Sequence, residues 1–223
     1  MKYFLQIITT LLMVTLLFSA CKKDEYLIGG SLHNAKVNMT TYDYLKGNSA
    51  GLFDTLLLLV DKAGLKDKVN QQGVTFFAPT DYSINTYLTL RALEEQSIDP
   101  NRQWTIDSLI KYEMPKFIDS IDIYFVSQSL TYDKLTENGA VYPTLKTGTN
   151  CIVSYEETRD PELGYNPNVS TIPRIVYFTF DGVKTVVQTS GIETTTGILH
   201  VLQNGGFVGD GHVKGHALFF RNI

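Results

Sequence analysis

Apolar positions along this chain change their spacing twice, and each regime predicts a different kind of element. From Ile7 to Phe18 they run together over about 12 residues, short of the roughly 20 that a membrane-crossing helix needs. From Thr40 onward the spacing becomes helical. Tyr42, Tyr44 and Leu45, then Leu52, Phe53, Leu56, Leu57 and Val60, predict two packed helices, the second ended by Gly64. Leu58 and Leu59 make that second helix apolar nearly all round, which predicts burial. A β-prone run, Val74 to Ala78, is stopped by Pro79, and Thr80 is placed to cap a helix whose inner face holds Ile84, Tyr87, Leu88 and Ala92. A further helix groups Ile106, Leu109 and Ile110, with Asp107 near its positive end.

The second half shortens into strand-length runs: Cys151 to Tyr155, Ile175 to Phe180, Val183 to Val187, Ile198 to Leu202 and Ala217 to Phe220. Asp181-Gly182 joins two of them as a two-residue connection, the signal of a type I′ hairpin and so of an antiparallel pair. Glu157 to Arg174 holds Pro161, Gly164, Pro167 and Pro173 and predicts a long loop. Helices gathered early and strands gathered late define an α+β domain.

Composition narrows the function classes. With 19 Lys plus Arg against 23 Asp plus Glu the formal charge is -4, so no electrostatic footprint exists for nucleic acid. The two cysteines, Cys21 and Cys151, permit at most one disulfide and no Cys-rich metal scaffold.

Lys2, the short apolar run and the small residues in Leu17-Phe18-Ser19-Ala20-Cys21 read as an export signal. The pattern resembles a bacterial lipoprotein lipobox, with Phe18 in place of the usual Leu. That resemblance implies a signal peptide over residues 1–20, cleavage before Cys21, acylation (palmitate among the chains) of the Cys21 thiol, and a tether over 21–39. Two or more acyl chains make a lasting anchor, so the membrane is the implied partner. Cys21 is then consumed by lipid, Cys151 has no partner, and no disulfide forms. Lys22-Lys23-Asp24-Glu25 resembles the signals after the lipidated Cys in surface-exported lipoproteins of Bacteroidetes-type bacteria, which implies an outward-facing position on the outer membrane. The alternatives are a solvated charge run, and a secreted protein in which Cys21 is incidental.

Thr75-Phe76-Phe77-Ala78-Pro79-Thr80-Asp81 closely resembles the first signature of the fasciclin-like (FAS1) domain. Ile192 followed by Thr196-Gly197-Ile198-Leu199-His200-Val201-Leu202 resembles the second, with Thr196 for the usual Asn and Gln203 for the usual Asp. The likeness spans about Thr40 to Gln203. It implies a single FAS1-like domain over 40–223, helices flanking an antiparallel β-wedge, with an inserted loop at about 157–174 that is a candidate for a private binding surface. It also implies a non-enzymatic cell-surface binding or adhesion module. Many FAS1 domains carry an adhesive Tyr-His pair between the signatures, whereas the corresponding place here is Tyr112-Glu113, so integrin-type adhesion does not transfer.

Each residue with chemistry has a bland counterpart. His200 in an apolar strand reads as a core histidine, and Pro79 and Thr80 read as strand stop and helix cap. Gly47-Asn48-Ser49-Ala50-Gly51 fits G-x-S-x-G, yet a nucleophile elbow needs a buried strand before the Ser, while Gly47 as a C-cap and Ser49 as the next N-cap explain the same letters. His212 and His216 are spaced for a helix that Gly211 and Gly215 oppose; Gly205 to Gly211 lacks the order of a nucleotide cradle; Asp119 and Asp122 are not singled out as an acid-base pair. The chain is therefore expected to carry no catalytic residue, metal or cofactor, and to bind an unidentified protein or glycan. The competing functions are an accessory glycan-binding lipoprotein of nutrient uptake, using exposed aromatic faces, and an enzyme, which would require a pocket of convergent polar groups.

Overall fold

The computed structural model describes residues 35–204, together with 206–207 and 213–214. The chain enters through the two-residue strand β1 (Ala35–Lys36) and turns into helix α1 (Thr41–Lys46), where the hydroxyl of Thr40 accepts from the Asp43 N–H at 3.2 Å. Helix α2 (Asp54–Lys62) buries Leu56, Leu57, Leu59 and Val60. Leu58 is 39% exposed, contrary to the expected all-round burial, because the helix turns a single face inward and its run of leucines is wider than that face. Gly64 follows with φ +67, a conformation costly for any side chain, and ends the helical segment as expected.

After the short helix α3 (Lys66–Val69) comes β2 (Val74–Ala78), buried at all five positions, the mark of a strand covered on both faces. Helix α4 (Asp81–Ile98) then runs for 18 residues and buries Ile84 and Tyr87. Helix α5 (Ile106–Ser108) opens on a reciprocal cap between Thr105 and Ser108 and widens into a π-turn, Leu109–Glu113, before narrowing into α6 (Met114–Ile121). The regular helix expected around Leu109 is thus a widened one. Pro115 stands in the first turn of α6 and has no N–H to return to the Lys111 carbonyl, which breaks the ordinary ladder at that point.

The remaining strands are β3 (Phe125–Val126), β4 (Ala140–Pro143), β5 (Asn150–Glu157), β6 (Arg174–Phe180), β7 (Val183–Glu193) and β8 (Gly197–Leu202), followed by the ribbon of β9 (Gly206–Phe207) and β10 (Val213–Lys214). The main sheet runs β3-β2-β8-β7-β6-β5-β4, with β1 added beside β7. It is mixed rather than the antiparallel wedge expected: β2 pairs β8 in parallel, and so does β1 with β7. Strands joined by a tight turn must be antiparallel, whereas β2 and β8 are linked through most of the domain and are free of that constraint. A bridge between Val126 and Thr144, with the Leu145 N–H donating to the Phe125 carbonyl at 2.9 Å, brings the two ends of the sheet together.

Asp181 and Gly182 have φ of 48 and 74, the paired positive values of a type I′ turn, and the β6–β7 hairpin forms as expected. β7 outruns its expected end at Val187. Register shifts between Val187 and Ile192 carry it from β6 across to β8. The β5–β6 connection is a loop apart from one 3-10 turn, Pro161–Leu163, and the Thr158 N–H closes its base on the Pro173 carbonyl at 3.0 Å. Among the described residues Tyr87, Tyr124, Phe76, Phe77, Phe117, Phe125 and Phe178 are the largest fully buried side chains.

Candidate functional site

The two sequence signatures are neighbours in space. Val74 to Ala78 lies against Gly197 to Val201 residue for residue, so β2 and β8 form the centre of the sheet together. Gly197 is required by this closeness, since a Cβ there would stand 2.2 Å from the Val74 carbonyl oxygen. Thr75 donates its hydroxyl to the Gln128 carbonyl at 2.8 Å and accepts from the Leu130 N–H at 2.7 Å, pinning the chain that leaves β3. Phe76 stacks on Phe125 with centroids 4.2 Å apart, and Phe77 lies between His200 and Phe178 at 4.9 and 4.7 Å. Ala78, Ile198, Leu199 and Val201 are buried.

Asp81 has a role the sequence did not expose. Its carboxylate accepts from the N–H groups of Thr55 at 2.8 Å and Leu56 at 3.0 Å, capping α2 from another helix, while Phe53 at the N-cap position supplies no side-chain bond. Thr80 occupies the N-cap position of α4, but its hydroxyl does not cap; it donates to Asn204 Oδ1 at 3.0 Å instead. Thr196, where the family has Asn, accepts from the Thr41 N–H at 3.1 Å and shares a hydroxyl cluster with Thr41 and Thr194, at 2.9 Å and 3.3 Å. That cluster fastens α1 to the second signature.

His200 is fully buried. Its Nδ1 accepts from the Gly191 N–H at 3.2 Å, which leaves the proton on Nε2, facing the Leu130 carbonyl at 3.4 Å. Burial pushes the imidazole down to about 4, so the ring is neutral at ordinary pH. A neutral ring, satisfied at both nitrogens and closed to solvent, ties the bulged part of β7 to the chain after β3.

The Gly47 to Gly51 segment holds no nucleophile elbow: helix α1 precedes it, not a strand, and Gly47 is the C-cap of that helix as expected. Ser49 is exposed and does not cap α2; Asn48 Oδ1 orders the turn by accepting from the N–H groups of Ala50 and Leu52, each at 3.2 Å. Asp119 and Asp122 serve different partners, Lys146 and Lys68, each at 2.5 Å. Cys151 is a buried free thiol, pushed up to about 12 by burial. Among the described residues no group of three or more His, Cys, Asp or Glu is placed to hold a metal, and no helix is long and apolar enough to cross a membrane. Cys21, the signal, the tether as far as residue 34, His212, His216, the Ala217 to Phe220 run and most of the Gly205 to Gly211 stretch lie outside the described residues, whereas the last residues assigned to the tether, from Ala35 on, are already paired with β7 through β1.

One exposed cluster gathers side chains with binding chemistry. The π-turn sends Tyr112 outward, 62% exposed, and turns Glu113 inward, where it accepts from the Tyr87 hydroxyl at 2.6 Å and from Arg91 Nε at 3.2 Å. Burial, then that bond to Glu113, push the Tyr87 phenol well above its ordinary value. Arg91 also reaches Glu94 at 2.5 Å and Glu95 at 3.4 Å, and its guanidinium lies 4.5 Å over the ring of Trp104. Trp104, half-buried, stands 6.0 Å from Tyr112 with the rings tilted by 33°. Trp104 was not singled out in the sequence; the available signal was that it is the chain's only tryptophan.

The Fasciclin domain model matches residues 51–204, more than half of the chain, and its span begins before α2 and ends just after the second signature. This protein belongs to the Fasciclin domain family, whose members are associated with cell adhesion and are typically non-enzymatic modules. Among solved structures it is similar to a FAS1 domain pair from the insect cell adhesion molecule fasciclin I, at 15% identity and a TM-score of 0.47, over 70% of this chain and 45% of that one. The present chain thus spans less than half the length of that relative. No curated protein matches it.

Proposed function

We propose that this protein is a non-enzymatic binding and adhesion module, held by lipid on Cys21 to the outer membrane of a Bacteroidetes-type bacterium and facing outward. The observation that carries the adhesive reading is the family match over residues 51–204, where the signature residues account for themselves as packing, caps and strand pairing. The anchor rests on Ser19-Ala20-Cys21 after a short apolar run, and the outward position on Lys22-Lys23-Asp24-Glu25. Residues 1–20 are then the signal peptide, and the tether runs from Cys21 to residue 34, since Ala35 already belongs to β1. The residues between Cys21 and Ala35, at ~3.5 Å each, allow a stand-off of at most on the order of 45 Å from the bilayer.

Replacing Cys21 with Ser tests the anchor. The variant is expected in the soluble fraction, and retention with the outer membrane after a high-pH wash refutes lipidation. Protease added to intact cells is expected to degrade the domain, and full protection places it in the periplasm instead. A second reading, an accessory glycan-binding lipoprotein of nutrient uptake, is favoured by the exposed ring of Tyr112 beside Trp104.

A further inference from the structure

The cluster at the π-turn holds exposed aromatic side chains and hydrogen-bonding groups together through a network of ion pairs. Tyr112 is 62% exposed even with Lys111 Nζ 4.8 Å over its ring, and Trp104 sits 6.0 Å away, with the guanidinium of Arg91 4.5 Å over one face of its ring. Arg91 in turn is held by Glu113, Glu94 and Glu95, so the Trp104 ring has little freedom to lose on binding. Around the rings, Arg102 and Glu94 keep 51% and 43% of their side chains in solvent, and Arg102 is held against Glu95 at 2.8 Å.

We propose that Trp104 and Tyr112 form a shelf for a neutral saccharide chain, deepening the second reading above and resting on it. Three features select this ligand. The face of an aromatic ring is electron-rich and attracts the polarised C–H face of a sugar, while the sugar's hydroxyls reach outward. Guanidinium and carboxylate groups at the rim offer donors and acceptors to those hydroxyls. An apolar protein partner would strip water from the same ions without replacing its hydrogen bonds, which is costly. Finally, the cations Arg91, Arg102 and Lys111 are matched by the anions Glu94, Glu95 and Glu113, so the shelf has no net charge with which to hold a polyanion. The short π-turn is what builds it, since the same backbone step that turns Glu113 in against Arg91 turns Tyr112 out.

The test is affinity electrophoresis of the detergent-solubilised full chain through gels containing soluble starch, mixed-linkage β-glucan, xylan or galactomannan, with polygalacturonate as the anionic control. Because Trp104 is the only tryptophan, fluorescence excited at the red edge of the absorption band, where tyrosine does not absorb, reports on this site alone. At least one neutral polymer is expected to retard the protein and shift Trp104 emission. Tyr112→Ala is expected to weaken that binding about tenfold with an unchanged unfolding midpoint, and Tyr82→Ala, at another exposed tyrosine, to leave it intact. No retardation by any neutral polymer, retardation by polygalacturonate alone, or neutral-polymer binding that survives Tyr112→Ala or is lost in Tyr82→Ala overturns the proposal. Since the assay does not depend on the anchor, its failure is separate from failure of the Cys21→Ser fractionation.

Discussion

Histidine 200 offers the sharpest quantitative test of how the centre of the sheet is built. In the folded chain its imidazole takes a proton only near pH 4, against an ordinary value of 6.5, because burial disfavours the cation. The unfolded chain therefore binds a proton between those values that the folded chain refuses. Stability from this residue is fully present above about pH 6.5 and is lost as the pH falls toward 4. At about 1.4 kcal/mol per pH unit the loss amounts to about 3 kcal/mol. His200→Phe removes the titration, puts a somewhat larger aromatic ring in its place and orphans two buried groups, the Gly191 N–H and the Leu130 carbonyl, which costs about 2–4 kcal/mol near pH 7.5. Urea unfolding of both proteins at pH 7.5, 6, 5 and 4 gives the difference directly, with all other titrating groups cancelling. The gap should shrink as the solution becomes acidic, until the variant equals the wild type. A gap that stays constant across the series would show that His200 titrates alike in both states, and the account of a neutral, doubly bonded core histidine would be wrong.

Gly197→Ala should lower stability by about 1–3 kcal/mol or more in thermal unfolding, because its methyl group meets the Val74 carbonyl at 2.2 Å and one of two paired strands must move. Asp81→Ala should cost about 1–2 kcal/mol in the same measurement, with Asp81→Asn recovering part, since the amide oxygen still accepts from Thr55 or Leu56. Ser49→Ala, at an exposed side chain that caps nothing, should stay within about 0.5 kcal/mol of wild type. In a thiol-reagent titration at pH 8, Cys151 should react only once the protein is denatured, and labelling of the native fold would contradict its burial.

What was legible in the sequence was what local chemistry decides. Asp181-Gly182 announces its hairpin because only residues tolerant of positive φ fit that turn, and Val74 to Ala78 announces a strand because Pro79 must end it. Both signatures were visible as letters, but their parallel pairing was not, since nothing between β2 and β8 encodes which way two distant strands lie. β3 and β4 are too short to show a period. The leucine run of α2 hid its exposed position at Leu58, because hydropathy marks what tolerates burial and not which face is covered. At the aromatic shelf the order of Tyr112 and Glu113 was readable; that one points out and the other in depends on a π-turn, a backbone event with no residue signature of its own beyond Pro115.

The pairing of β2 with β8 also governs when the domain can exist. Thr41 finds its partner Thr196 at a separation of 155 residues, and Val74 to Ala78 waits for Gly197 to Val201 before its inner edge is covered. Contacts of such range close late and fold slowly. Until they close, the chain carries Val74-Thr75-Phe76-Phe77-Ala78 as an uncharged, apolar strand with open hydrogen-bonding edges, the kind of segment that recruits other copies of itself. A polypeptide stopped short of Leu202 is accordingly an aggregation hazard rather than a smaller domain. The same delay keeps the nascent chain from folding until most of it has been made.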